Sequence, residues 1–93
     1  GLDRKISRYT IAEIAAKAMK LPGVTAVSPF TDMASNYSAA PYVMALYQIG
    51  VIQGTKLDTG AVNFYGPNSI RRSEMATIIW RMNNYQRTGN LNG

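Results

Sequence analysis

The spacing of hydrophobic residues predicts a first helix over residues 7–20. Apolar side chains recur there every three or four positions, which is the periodicity of one helical face. Ser7 precedes the pattern as a candidate N-cap, and the Leu-Pro-Gly segment at 21–23 ends it. The predicted apolar face consists of Ile11, Ile14, Ala15, Ala18 and Met19.

Two further segments have the same periodicity. A second helix is predicted over 39–49, ending at Gly50, and a third over 70–85. The residues of the third helix that are interpreted as core are Ile70, Met75, Ile78, Ile79, Trp80 and Met82. Because the first and third helices have matching apolar faces that both need covering, we expect these two helices to pack closely together.

The segment between the second and third helices is interrupted by Gly54, Gly60 and Gly66. This pattern predicts a turn-rich connection with a short β pairing. The polar segment 86–93 is predicted to be a flexible tail. The fold class is therefore mainly α, with about three helices joined by glycine-rich loops.

Length and composition limit the chemistry. The chain has 93 residues and 46% hydrophobic content, which is typical of a single domain spanning residues 1–93. It contains no cysteine and no histidine, so the commonest metal ligands, general bases and thiol nucleophiles are missing. We predict no enzymatic activity, no catalytic residue, no metal and no cofactor.

One enzymatic alternative needs weighing. The triplet Asp58-Thr59-Gly60 occurs in retroviral-type aspartic proteases, where two aspartates share a proton. That fold is all-β, whereas here the triplet lies between predicted helices. A turn before Phe64 is the favoured interpretation, because short motifs outside their structural context are mostly false positives.

The charge balance favours anionic partners. The formal net charge is +5, and the sequence pI is about 9.8. The basic residues are scattered rather than clustered in a stripe, so nucleic acid is not the predicted partner. No apolar run approaches the ~18 residues of a membrane span, so no membrane insertion is predicted.

The first and third predicted helices contain an internal repeat. The segment ISRYTIAEIAAKAM from Ile6 aligns with IRRSEMATIIWRM from Ile70. The aligned pairs are Ile6/Ile70, Arg8/Arg72, Ile11/Met75, Ala12/Ala76 and Ile14/Ile78. In tandem arrays such units bury their faces against neighbours, so residues 6–20 are interpreted as the closing helix of a preceding repeat.

Residues 30–82 resemble one complete repeat of the S-layer homology (SLH) domain family. That repeat has a Phe-x-Asp segment, a further aromatic residue, a helix ending in a Gly-Ile-x-x-Gly-like turn, a Phe-x-Pro loop and a helix that opens with Thr-Arg-Ala-Glu. The matching positions are Phe30, Asp32, Tyr37, the segment ALYQIGVIQG from Ala45 to Gly54, Phe64, Pro67, Ile70, Arg72 and Glu74. The chain departs from the pattern at Arg71, which replaces the capping threonine, and at Thr10, which replaces the upstream glutamate.

The resemblance implies a non-catalytic module on the bacterial cell surface. It would attach to the cell wall by binding an acidic, often pyruvylated, secondary cell-wall polysaccharide without a covalent bond. The alternative is a degenerate structural module that packs beside another domain of a larger surface protein and binds no glycan. Because the repeat set is incomplete, an uncovered apolar face also predicts self-association.

The ligand-binding residues that the resemblance implies are Arg72, Glu74, Asp32, Tyr37 and Arg8. Arg72 is expected to contribute most, since a guanidinium offers a planar fork of donors to a carboxylate. Arg71 is interpreted as a solvated substitution. The structural alternatives are an ion pair of Arg72 with Asp32 or Glu74, a first-turn acid at Glu74 and a core position for Tyr37.

Overall fold

The structure is a computed structural model that describes residues 6–88. Its helices are α1 (Arg8–Ala18), α2 (Ala40–Gln48) and α3 (Arg72–Thr88). The short strands β1 (Thr55–Lys56) and β2 (Val62–Asn63) lie between α2 and α3 and pair antiparallel, with Thr55 opposite Asn63 and Lys56 opposite Val62. The predicted mainly α fold with three helices and a short β pairing is confirmed.

The ends of α1 and α2 follow from local chemistry. Ser7 caps α1, and its hydroxyl accepts a hydrogen bond from the Thr10 N–H at 3.2 Å. At the end of α2, Gly50 has a φ of 81°, and the Val51 N–H donates to the Leu46 carbonyl at 3.0 Å. This is the Schellman arrangement, in which a left-handed residue lets the chain turn away from the helix. Gly50 therefore ends α2 as predicted.

The core lies between α1 and α2, and alanines form its α1 side. Ala12, Ala15 and Ala16 are 1%, 4% and 0% exposed, and α1 packs along α2. Small side chains allow two helix backbones to approach closely. The predicted face of α1 is therefore partly wrong, because Ile14 is 54% exposed and Ala18 is also exposed.

One face of α3 packs on this core and the other does not. Ile78 and Met82 contact the core cluster as partly buried residues. Ile79 and Trp80 are 49% and 63% exposed, so the prediction that they belong to the core is wrong. Trp80 lies about 160° around the helix from both Ile78 and Met82, so it faces away from the core, and Ile79 lies at the edge between the two faces.

The predicted close packing of α1 against α3 holds only at their N-terminal ends. Directly beside this contact, a cleft of about 170 Å³ lies between the first half of α1 and the first half of α3. Ile11 and Ala12 line it from α1, and Thr77 and Ile78 line it from α3. The reason is that α1 turns its alanine face toward α2 rather than toward α3.

The turn between β1 and β2 contains the triplet Asp58-Thr59-Gly60, which also occurs in aspartic proteases. Asp58, Thr59 and Gly60 are exposed in the turn between β1 and β2. The Gly60 N–H donates to the Leu57 carbonyl at 2.9 Å, and the Leu57 N–H donates to the Ala61 carbonyl at 2.7 Å. The turn interpretation is confirmed, and the all-β fold that a protease of this type requires is not present in residues 6–88.

The end of the described chain extends α3 further than the sequence predicted. Residues 86–88 belong to α3. Residues 89–93, the rest of the predicted flexible tail, lie outside the described residues. No helix within the described range 6–88 is both long enough and apolar enough to cross a membrane.

Candidate functional site

The two copies of the repeated motif meet where α1 and α3 begin. Ser7 and Ser69 form an isolated antiparallel bridge. The Ile70 N–H donates to the Ile6 carbonyl at 2.9 Å, and the Arg8 N–H donates to the Asn68 carbonyl at 3.0 Å. These main-chain bonds place the first turns of the two helices side by side.

Glu74 connects the two helix starts. It is the third residue of α3, and its Oε1 accepts the Arg71 N–H at 3.2 Å, which is the glutamate half of a capping box. Its Oε2 accepts a hydrogen bond from the Arg8 guanidinium of α1, with which it forms an ion pair. Glu74 thus supplies one half of the capping box, while Arg71 has no hydroxyl to supply the other half, and Glu74 also holds Arg8 in place.

The surroundings of Glu74 favour its charged form. Partial burial acts to raise the pKa of this carboxyl group. The hydrogen bonds from the Arg8 side chain and the Arg71 N–H, together with the charges of both arginines, outweigh burial and lower the pKa of Glu74 below its ordinary value of 4.5. Its ionised form is therefore part of the folded structure at neutral pH.

We expect Glu74→Gln to remove an acid-sensitive contribution to stability. A group whose pKa is lowered by folding stabilises the native state above its unfolded pKa, and this contribution is lost as the pH falls through the folded pKa. The variant should be about 0.5–1 kcal/mol less stable at pH 7, as for a partly exposed pair, and this deficit should shrink as the pH is lowered to 3. Urea unfolding at both pH values measures the difference. Glu13→Gln is the control, since its pair with Lys17 lies on the surface; a Glu74→Gln deficit that is unchanged at pH 3 would contradict the assignment.

Asp32 shapes the loop that leads into the junction. Its Oδ1 accepts the Phe64 N–H and its Oδ2 accepts the Tyr65 N–H, each at 2.8 Å. Tyr65 has a φ of 58°, which is uncommon for an aromatic residue, and its carbonyl accepts the Asn68 N–H at 3.0 Å. The carboxylate thereby holds a strained turn in place, so Asp32 is a positioning residue for this loop.

An open groove lies beside this turn, and we call it the junction groove. Its lining residues are Arg8, Tyr65, Pro67, Asn68, Ser69, Arg71, Ser73 and Glu74. The side chain of Arg71 has no ion-pair or hydrogen-bond partner within residues 6–88, whereas Arg8 is bound by Glu74. Arg72 is exposed on the first turn of α3 and does not line the groove. The groove therefore presents hydroxyl and amide groups, one neutralised arginine and one unpaired arginine.

Comparison with protein-family models found a match that includes Asp32, Arg71 and Glu74. The family model described as the S-layer homology domain matches residues 29–76, just over half of the chain. The chain belongs to the S-layer homology family. No significant match was found among curated proteins or among solved structures. S-layer homology domains are generally non-catalytic modules that anchor proteins to the bacterial cell wall.

A second groove in this S-layer homology domain contains an aromatic pair, and we call it the tyrosine groove. The rings of Tyr9 and Tyr37 lie 4.6 Å apart between centroids, and Tyr37 is 44% exposed. The other lining residues are Ser7, Thr10, Glu13, Ser38, Ala39 and Pro67. Burial, and then the nearby Asp32 carboxylate and Tyr37, raise the pKa of Tyr9 above its ordinary value of 10.0, so its hydroxyl stays neutral at physiological pH.

The structure brings together only part of the residue set that the resemblance implied. Arg8 and Glu74 are in contact, and both line the junction groove. Tyr37 lies in the tyrosine groove and is more exposed than a core residue, while Arg72 pairs with neither Asp32 nor Glu74. Within residues 6–88, no group of three or more Asp, Glu, His or Cys side chains could hold a metal ion.

Two residues that line the grooves are not in the set that the resemblance implied. Tyr9 forms the base of the aromatic pair, and it lies on α1 next to the motif arginine, outside the repeat unit that the family pattern covers. Arg71 was interpreted as a solvated substitution, and its side chain is exposed and makes no hydrogen bond or ion pair within residues 6–88. The signal that could have identified Arg71 is its N-cap position, where a side chain projects beyond the first turn rather than along the helix.

Proposed function

We propose that this domain binds an acidic secondary polysaccharide of the bacterial cell wall without a covalent bond, and that it holds its parent protein at the cell surface. The observation that supports this most directly is the composition of the junction groove. Two arginines and one glutamate line it, so the groove carries a net positive charge at neutral pH. The first N–H groups of α3 lie at the same end of the helix and add to the positive potential.

The unpaired guanidinium of Arg71 is the proposed contact for a sugar carboxylate or pyruvyl ketal. A guanidinium can donate two parallel hydrogen bonds to a carboxylate, which provides both energy and orientation. Ser69, Ser73 and Asn68 supply hydroxyl and amide groups that suit neighbouring sugar hydroxyls. Arg8 would contribute less, because Glu74 already accepts its guanidinium.

The tyrosine groove is proposed to hold an uncharged part of the same glycan. It adjoins the junction groove through the shared residue Pro67. The exposed face of Tyr37 suits the apolar side of a sugar ring, and Thr10, Glu13 and Ser38 offer hydrogen-bonding groups around it. Asp32 and Glu74 act by positioning the loop and Arg8 rather than by touching the sugar.

One observation favours a purely structural role. The ion pair between Glu74 and Arg8 joins the two copies of the repeated motif, so the presence of both residues can be explained without any ligand. In that case the domain would pack beside another part of a surface protein and would bind no glycan. The acidic polysaccharide is preferred because the Arg71 side chain lines the groove and, within residues 6–88, makes no hydrogen bond or ion pair, although its charge also acts on Glu74.

The deciding experiment measures binding of the full chain to purified bacterial sacculi. Sacculi that retain their secondary polysaccharide are compared with sacculi from which it has been chemically extracted. We expect the protein to sediment with the first and to stay in solution with the second. Binding should also fall as salt is raised through the physiological range, because exposed charges are screened.

Two controls separate specific binding from charge attraction. Polysaccharide with reduced carboxyl groups tests the role of its acid, and we expect it to compete poorly. Double-stranded DNA of equal charge should compete only at low salt. Equal sedimentation with intact and extracted sacculi would contradict the proposed function and favour the structural role.

A further inference from the structure

The junction groove contains two guanidinium groups, but the protein itself already occupies one of them. The Arg8 guanidinium donates to the Glu74 carboxylate and also to the Ser69 carbonyl, the latter at 3.5 Å. The Arg71 side chain is exposed and makes no hydrogen bond or ion pair within residues 6–88. A ligand that enters the groove therefore meets one available fork of N–H donors, which belongs to Arg71.

The Glu74 carboxylate lies between the two arginines. Its Oε1 accepts the main-chain N–H of Arg71 at 3.2 Å, and its Oε2 accepts a hydrogen bond from Arg8. The side chains of Arg8 and Glu74 are only 22% and 36% exposed, so water and salt screen their charges less than they screen the exposed charge of Arg71. An anion bound at Arg71 is therefore attracted by two positive charges and repelled by one negative charge.

The charged side chains of the groove add up to a single positive charge. Arg8 and Arg71 contribute one positive charge each, and Glu74 contributes one negative charge. Burial acts to raise the pKa of Glu74, but its hydrogen bonds with Arg8 and the Arg71 N–H lower it overall, so this carboxylate stays ionised at neutral pH. One negative charge on a ligand balances the groove. A second negative charge on the same ligand group would gain little, because Glu74 repels what the arginines attract.

We propose that Glu74 determines the charge specificity of the junction groove, so that the groove favours singly charged acid groups such as sugar carboxylates. Glu74 acts by occupying the guanidinium of Arg8, so it is a positioning residue rather than a ligand contact. Without the charge of Glu74, Arg8 and Arg71 would present two forks and two positive charges, which fit a doubly charged phosphate monoester. This inference rests on the proposed function, since it concerns the acid group of the glycan that the groove accepts.

The test compares two sugars of different charge, glucuronate and glucose 6-phosphate. Phosphate monoesters lose their second proton with a pKa of about 6, so glucose 6-phosphate is close to doubly charged at pH 7.5 and singly charged at pH 5. Binding is measured by NMR titration of the amide signals around Arg71. At pH 7.5 the wild type should bind the two sugars with affinities within about threefold of each other, whereas Glu74→Gln should bind glucose 6-phosphate about tenfold more tightly than glucuronate. At pH 5 this preference of the variant should disappear.

Two further variants separate the release of Arg8 from a general change of charge. Arg8→Met added to Glu74→Gln removes the second fork and should abolish the preference for glucose 6-phosphate. Asp58→Asn is the matched control, because it removes one negative charge from the exposed turn between β1 and β2, outside the groove, and should leave the ratio of the two affinities unchanged. A purely structural role of Glu74 would lower both affinities in parallel and would not make them depend on the charge of the phosphate.

The wild type alone can also contradict the proposal. Its affinity for glucose 6-phosphate should change by less than about threefold between pH 5 and pH 7.5, and a tenfold rise would overturn the proposal without any variant. Equal affinity ratios in the wild type and in folded Glu74→Gln would overturn it too, while binding of glucuronate to the wild type would still support the proposed function. If neither protein bound either sugar, both the charge specificity and the proposed function would be overturned.

Discussion

Arg71→Ala is expected to lower the affinity of the domain for acidic cell-wall polysaccharide about tenfold, whereas Arg72→Ala should lower it by no more than about twofold. A tenfold loss corresponds to about 1.4 kcal/mol, which is modest for a charge-assisted pair because the groove is open to solvent. The order of these effects follows from geometry. Arg71 lines the junction groove and makes no side-chain hydrogen bond or ion pair within residues 6–88, whereas Arg72 does not line this groove.

The measurement is the binding of each variant to the extracted polysaccharide by titration calorimetry, with circular dichroism to confirm folding. Arg71→Lys gives a sharper test, since lysine keeps the charge but loses the fork of two parallel donors. We expect it to recover less than half of the lost binding energy. Equal losses at Arg71 and Arg72 would indicate general charge attraction. A large loss at Arg72 alone would support the assignment drawn from the family motif.

Arg71→Thr tests whether the stability of α3 and the binding of polysaccharide change in opposite directions. Threonine restores the hydroxyl cap of the family motif and should stabilise α3 by about 1 kcal/mol, since the N-cap side chain would accept a free N–H of the first turn. Glu74 already bonds to the N–H of this position, so the substitution completes the capping box. A variant that is more stable but binds polysaccharide less well would show that Arg71 contributes to polysaccharide binding and lowers the stability of α3.

The helices could be predicted from the sequence, but the faces they cover could not. Periodicity identified α1 because Ile11, Ala15 and Met19 repeat at helical spacing. It could not show that Ala12 and Ala16 are buried while Ile14 is exposed. That choice depends on how closely α2 approaches, and close approach favours small side chains over the most hydrophobic ones.

The candidate site shows the same limit. The resemblance predicted Glu74 and Arg8 as ligand-binding residues, and the structure places both in one groove, while their binding role stays a prediction. Their ion pair joins residues that are far apart in the sequence, so it depends on the bridge between Ser7 and Ser69. No local pattern encodes that bridge. The alignment of the two motif copies predicted that the first and third helices pack closely together, and the structure places their first turns side by side.

Gly66→Ala is expected to destabilise the domain by about 3 kcal/mol, because the site has no room for one additional carbon. A Cβ at position 66 would overlap the ring of Tyr9. That ring cannot move aside easily, since it also contacts Phe64 and Tyr37, with centroids 5.5 Å and 4.6 Å away. Moving the main chain instead would stretch the 3.0 Å bond between the Tyr9 N–H and the Gly66 carbonyl, which holds α1 against the junction loop.

A double-mutant cycle tests whether overlap with the Tyr9 ring is the cause of this destabilisation. Tyr9→Ala removes the atoms that an alanine at position 66 would meet, so the double variant should be at least about 1 kcal/mol more stable than the sum of the two single effects predicts. Urea unfolding of the four proteins measures this coupling. Strictly additive losses would show that Gly66 matters for another reason. A double variant that is more stable than additivity predicts would show that the Tyr9 ring packs directly against Gly66. The Tyr9 ring, which rests on Gly66, also packs against Tyr37 in the tyrosine groove. Gly66→Ala should therefore also weaken polysaccharide binding under conditions where the variant is fully folded.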